Sequence, residues 1–218
     1  MKTSLIAESY DRVYLDSLSA EFKESYRISR EKALELAKIN NWPLTFEKDG
    51  RFSELIRVNE DNIPVYYQTS NAGSAITSRV NKLYQNGGLG LNLRGQGMIG
   101  GVWDQNHPRT AHVDFAGRLQ VVDGSILATS SHATHVAGTI FASGVNNSEA
   151  RGMAYEANGW VFSWSNDINE MTQYSGLGLL VSNHSYGNNT DFNLTQYYGA
   201  YRTEARNIDA LLFGAKFY

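Results

Sequence analysis

The chain has 218 residues, of which 42% are hydrophobic and 19% charged, with a formal net charge of −3. That charge provides no basic field for a nucleic-acid backbone, and no apolar run reaches the roughly 18 residues that a membrane span requires. There is no cysteine, which excludes disulfides and thiolate chemistry.

In chain order, Met1 to Glu8 begins like a signal peptide but meets Glu8 before an apolar stretch develops. Residues 4–40 read as helical in two segments that break near Tyr26-Arg27-Ile28-Ser29. Ser29 is the candidate N-cap of the second segment, with Glu31 in its first turn and Leu34, Leu36, Ala37 and Ile39 on its apolar side. Leu44 to Lys48 and Phe52 to Val58 flank Asp49-Gly50, a strong hairpin signal, and a third strand from Ile63 to Tyr67 follows a polar turn. Small, polar and Gly-rich stretches between 71 and 97 bracket a short helix around Arg79 to Leu83 and read as a linker. Beyond Gly95, strands at 98–103, 158–163 and 178–183 alternate with helices at 132–142, 167–174 and near 206–212. This alternation predicts an α/β fold, a three-layer parallel sheet with helices on both faces, preceded by a small α+β N-terminal unit. The expected division is 1–70 for the N-terminal unit, 71–95 for the linker and 96–218 for the α/β domain.

The chemistry-bearing residues lie in that last segment. Met98 to Trp103 is an apolar run that ends in Asp104, at the carboxyl end of a strand, where open parallel sheets gather functional groups. His132 opens a helix whose apolar positions are Ala, Gly and Val. An Asp that accepts from one imidazole nitrogen fixes the tautomer and leaves the other nitrogen to take a hydroxyl proton. The helix N-terminus disfavours the charged imidazole and Asp104 opposes that effect. Taken singly, a strand-end Asp is more often a turn residue and a helical His more often a packing residue. His132 and His135 at spacing three suggest metal ligation, but Ala133 stands where H-E-x-x-H has its Glu.

Val102-Trp103-Asp104, His132-Ala133-Thr134-His135-Val136-Ala137-Gly138-Thr139 and Val181-Ser182-Asn183-His184-Ser185-Tyr186-Gly187 resemble, in order and spacing, three successive blocks of the subtilisin-like serine peptidases (subtilases). The resemblance covers about residues 95–218 and implies a serine-type endopeptidase acting on polypeptide substrates through an Asp-His-Ser triad. It implies that Asp104 and His132 are the catalytic pair, that His135 is structural, and that Ser185, Tyr186 and Gly187 bind substrate backbone by β-augmentation. It implies export from the cell, which the N-terminus does not echo. The chemistry needs no cofactor. Asp114 and Asn146-Asn147-Ser148 fall where subtilases can hold calcium, and both read more simply as solvated turns. Residues 26–70 occupy the place of a propeptide, with cleavage then expected near residues 69–80.

The triad's serine is not found. Family members carry it in a Gly-Thr-Ser block followed by small residues and proline, whereas Pro43, Pro64 and Pro108 all precede His132. Ser143, Ser148, Ser163, Ser165, Ser175, Ser182 and Ser185 all lack that context, and the Ala-Gly-Asn block of the oxyanion donor is absent. The expectation is therefore the N-terminal part of a peptidase domain, truncated before its nucleophile and nearly inert by itself. The alternative is an inactive remnant that binds extended peptides.

Overall fold

One helix runs where two were expected. The computed structural model describes residues 6–48, 51–69, 79–125, 128–146, 150–189 and 198–218, and in it α1 spans Arg12–Asn40 without a break. Asp11 caps it by accepting from Tyr14 N–H at 2.9 Å, and Asn41 closes it in the left-handed conformation. Ser29 is not a cap: its hydroxyl donates to the Val58 carbonyl at 2.8 Å. Arg27 reaches Glu24 at 2.6 Å and Glu31 at 2.7 Å, so ion pairs span the expected break and support a continuous helix.

The chain divides into two units whose segments interleave. One comprises residues 4–70, 165–178 and 186–218, the other residues 71–164 and 179–185. In the first, β1 (Thr45–Lys48), β2 (Arg51–Val58), β3 (Pro64–Thr69) and β8 (Tyr186–Asn188) form an antiparallel sheet in the order β1-β2-β3-β8. Lys48 pairs with Arg51, which leaves two residues for the hairpin turn; Asp49 and Gly50 themselves lie outside the described residues. The β2–β3 register slips between Leu55 and Arg57. This bulge shifts the inward phase of β2, so Ser53, Leu55, Ile56 and Val58 are all buried. Ala33 and Ala37 of α1 pack on Leu55, Val58 and Tyr66. Helices α3 (Asp167–Ser175) and α4 (Thr203–Gly214) belong to this unit too, although the sequence placed them on the parallel sheet. On α3, Asn169 Oδ1 accepts from Ser19 of α1 at 2.6 Å.

The other unit is built on β4 (Ile99–Asp104), β5 (Leu119–Val121), β6 (Asn158–Ser163) and β7 (Val181–His184), all parallel, in the order β5-β6-β4-β7. The predicted strands are present; β5, only three residues long, was not foreseen. Val102 and Val161 face Val136, Ala137 and Phe141 of α2 (Ser131–Phe141) in one core, with Phe115 and Leu119. Val102 and Trp103 point to opposite faces, since side chains alternate along a strand. Trp103 stacks on Phe162 at 3.9 Å and on His184 at 5.1 Å, three rings in one row across the sheet. Part of the expected linker is anchored here: the Tyr84 hydroxyl donates to the Met153 carbonyl at 3.0 Å, and Arg94 pairs with Glu156 at 2.9 Å. Its expected short helix is a single 3-10 turn, Val80–Lys82. Among the described residues no helix is long and apolar enough to cross a membrane.

Gly152 shows how tightly α2 is held. A Cβ there would lie 2.7 Å from backbone atoms of Gly138, Ile140 and Ala142, none of which can swing aside. G152A is expected to cost about 3 kcal/mol, read as a lower urea midpoint at unchanged slope; an unchanged midpoint would refute this packing.

Candidate active site

Strand β4 delivers Asp104 at its carboxyl end, where it is 1% exposed. Three contacts hold it: its carbonyl accepts from Trp164 N–H at 2.8 Å, Gln105 N–H donates to Oδ1 at 2.7 Å, and Ser163 of β6 lies directly opposite. His132 is the second residue of α2. Ser130 caps that helix, its hydroxyl accepting from Ala133 N–H at 3.1 Å. The imidazole Nδ1 of His132 then lies 2.8 Å from Asp104 Oδ1 and 3.0 Å from Oδ2. With a carboxylate on that side, Nδ1 carries the proton and Nε2 presents a lone pair, the tautomer a general base needs.

The structure thus brings Asp104 and His132 together. His135, one turn on, is exposed. Ser185 accepts from Asn183 Nδ2 at 2.9 Å. Tyr186 and Gly187 lie in β8, in the other unit, paired antiparallel with Thr69 and Gln68 of β3. Asp114 Oδ1 accepts from Val145 N–H at 2.8 Å, and its carbonyl accepts from Ser143, so the residue is engaged in holding that loop. Asn146 is exposed, and Asn147, Ser148 and most of the expected cleavage stretch lie outside the described residues. Among the described residues no group of three or more His, Cys, Asp or Glu could hold a metal ion.

A second His–Asp pair escaped the sequence reading. His107 Nε2 lies 3.2 Å from Asp123 Oδ2 and 3.0 Å from Ser125 Oγ; both members of the pair are buried. Sixteen residues separate them, and no short motif marks the pair. Burial pushes the Asp123 carboxyl up. Hydrogen bonds from His107, the Ser163 and Ser125 N–H groups and the Ser125 hydroxyl outweigh it, and hold the carboxyl at about 2 against an ordinary 3.8. A carboxylate depressed in the folded state stabilises fully above its unfolded value and ceases to as pH falls through the folded one. The difference is about 2 kcal/mol. The parent is expected to lose that much between about pH 5 and pH 2 in urea titrations, with a visibly flatter profile for D123N. Equal slopes for the two proteins would refute the assignment.

No family model, no curated protein and no solved structure matches this chain.

Proposed function

We propose that Asp104 and His132 are two members of the Asp-His-Ser triad of a subtilisin-like serine endopeptidase. The observation that carries this reading is His132 Nδ1 within 3.0 Å of both Asp104 oxygens, at the carboxyl end of a central parallel strand. In this mechanism His132 Nε2 takes the proton of a serine hydroxyl as that oxygen attacks the scissile carbonyl. It then returns the proton to the leaving amine, and Asp104 stabilises the imidazolium between the two steps. These 218 residues supply the base and its orienting carboxylate, and hold no serine in a Gly-Thr-Ser context.

Ser185, Tyr186 and Gly187 are the residues that pair with substrate backbone. Tyr186 and Gly187 pair here with Thr69 and Gln68 of β3, so a substrate strand would take that edge in place of β3. Residues 26–70 then act as a propeptide-like segment, and the mature enzyme is exported. No cofactor takes part in the bond-breaking steps.

Reading the source gene through and beyond codon 218 tests this. The expected frame continues into an Ala-Gly-Asn block and then Gly-Thr-Ser. An immediate stop would overturn the peptidase reading in favour of a remnant that binds extended peptides.

A further inference from the structure

Between Asp104 and the helix of His132 lies a turn that the chemistry does not use, yet it is pinned from two sides. Asn106 takes a left-handed conformation, φ 57°, and the next residue, His107, is buried. The backbone of this turn reaches forward to α2. The His107 carbonyl accepts from Ser130 N–H at 2.8 Å, and His107 and Thr129 form a parallel bridge. Arg109 N–H donates to Thr134 Oγ1 at 2.9 Å, and that hydroxyl donates to the Ser130 carbonyl at 2.7 Å. The His107 side chain reaches back to the sheet, to Asp123 Oδ2, which also accepts from Ser163 N–H at 2.8 Å. Ser163 is the residue paired with Asp104. One imidazole therefore ties the end of the sheet at Asp104 to the cap of the helix that carries His132.

Ser125, His107 and Asp123 have the composition of a second hydrolytic triad but not its geometry. Both partners meet the same nitrogen, Nε2, and Ser125 Oγ lies 2.9 Å from Asp123 Oδ1, so its proton goes to the carboxylate. A relay requires the carboxylate on the opposite nitrogen from the serine.

We propose that His107 and Asp123 are positioning residues that set where α2 begins, and so the distance from His132 to Asp104. The need arises from the helix itself. Phe141 and the close approach of Gly152 fix the far end of α2, whereas the buried residues of its first turns, Ala133, Val136 and Ala137, are small and hold the end that carries His132 less firmly along the sheet. A slide of about 1 Å would stretch the His132–Asp104 contact beyond hydrogen-bonding range, and misplacement on that scale costs about 10²-fold in rate.

The inference rests on the Asp104–His132 reading, and one experiment separates the two. In the isotope-labelled 218-residue chain, the hydrogen-bonded Nδ1–H proton of His132 gives a downfield imidazole resonance. H107F keeps a ring but loses the donor, and is expected to abolish that resonance while the backbone amide spectrum stays folded. H107Q, which retains a side-chain N–H, is expected to restore it. A resonance untouched in folded H107F overturns the positioning role and leaves the pair standing. A resonance untouched in D104N overturns the pair itself. Should H107F unfold, D123N decides by the same signal, with loss supporting the proposal and retention overturning it.

Discussion

Under the proposed peptidase function, D104N is expected to lower kcat about 10⁴-fold and H132A about 10⁶-fold, with the fold unchanged. The reason lies in the two short contacts from His132 Nδ1 to Asp104. An Asn side chain can turn its amide N–H toward Nδ1, which moves the ring proton to Nε2 and removes the lone pair that must accept from serine. It also withdraws the negative charge that stabilises the imidazolium. H132A removes the base outright, leaving only binding and the oxyanion donors. Because neither change touches substrate backbone, KM should move far less than kcat. Initial rates on a chromogenic peptide amide check this. A D104N rate within about tenfold of the parent would show that the carboxylate does not govern the base.

The second large effect is on stability. R57M is expected to destabilise the unit built on the antiparallel sheet by about 3 kcal/mol, seen as a lower urea midpoint. Arg57 is 15% exposed. It donates to the Tyr67 hydroxyl at 2.9 Å and pairs with Glu204 on α4. Tyr67 and Tyr186 in turn donate to Asp167 Oδ2 on α3, at 3.2 and 2.9 Å, and the two tyrosine rings stack at 4.8 Å. The network thus joins β2, β3, β8, α3 and α4. Burial pushes the Glu204 carboxyl up, and Arg57 outweighs it, holding that group below the ordinary carboxylate range. Without Arg57, a partly desolvated carboxylate stays behind with only the weaker attraction of Arg202. The partial exposure of Glu204, 38%, keeps the loss at the lower end for such pairs. The double variant R57M/E204L, which removes both charges, should recover most of it. A double variant no more stable than R57M would mean that the ion pair is not the source.

These cases show which physics a sequence carries in readable form. Parallel strands β4, β6 and β7 are legible as apolar runs, and the hairpin as Asp-Gly between alternating residues. Asp104 and His132 are legible because local chain geometry places them, one at a strand end and one in a first helical turn. What stays hidden depends on distant partners. Ser29 has the composition of a helix cap, but the Val58 carbonyl claims its hydroxyl. Residues 186–188 follow β7 directly along the chain, yet β3, over a hundred residues earlier, takes them as its neighbour. The bulge at Ile56 changes which face Arg57 presents, and no periodicity count would have found it. The His107–Asp123 pair has no motif because its purpose is to join two loops.

The most direct measurement is covalent labelling of the full polypeptide, expressed from the gene that encodes this chain, with a sulfonyl fluoride that reacts with activated serines. One serine in a Gly-Thr-Ser context is expected to take the label stoichiometrically, and H132A to abolish the reaction in a folded protein. No labelled serine, or a label indifferent to His132, would contradict the assignment of this chain to serine peptidase chemistry.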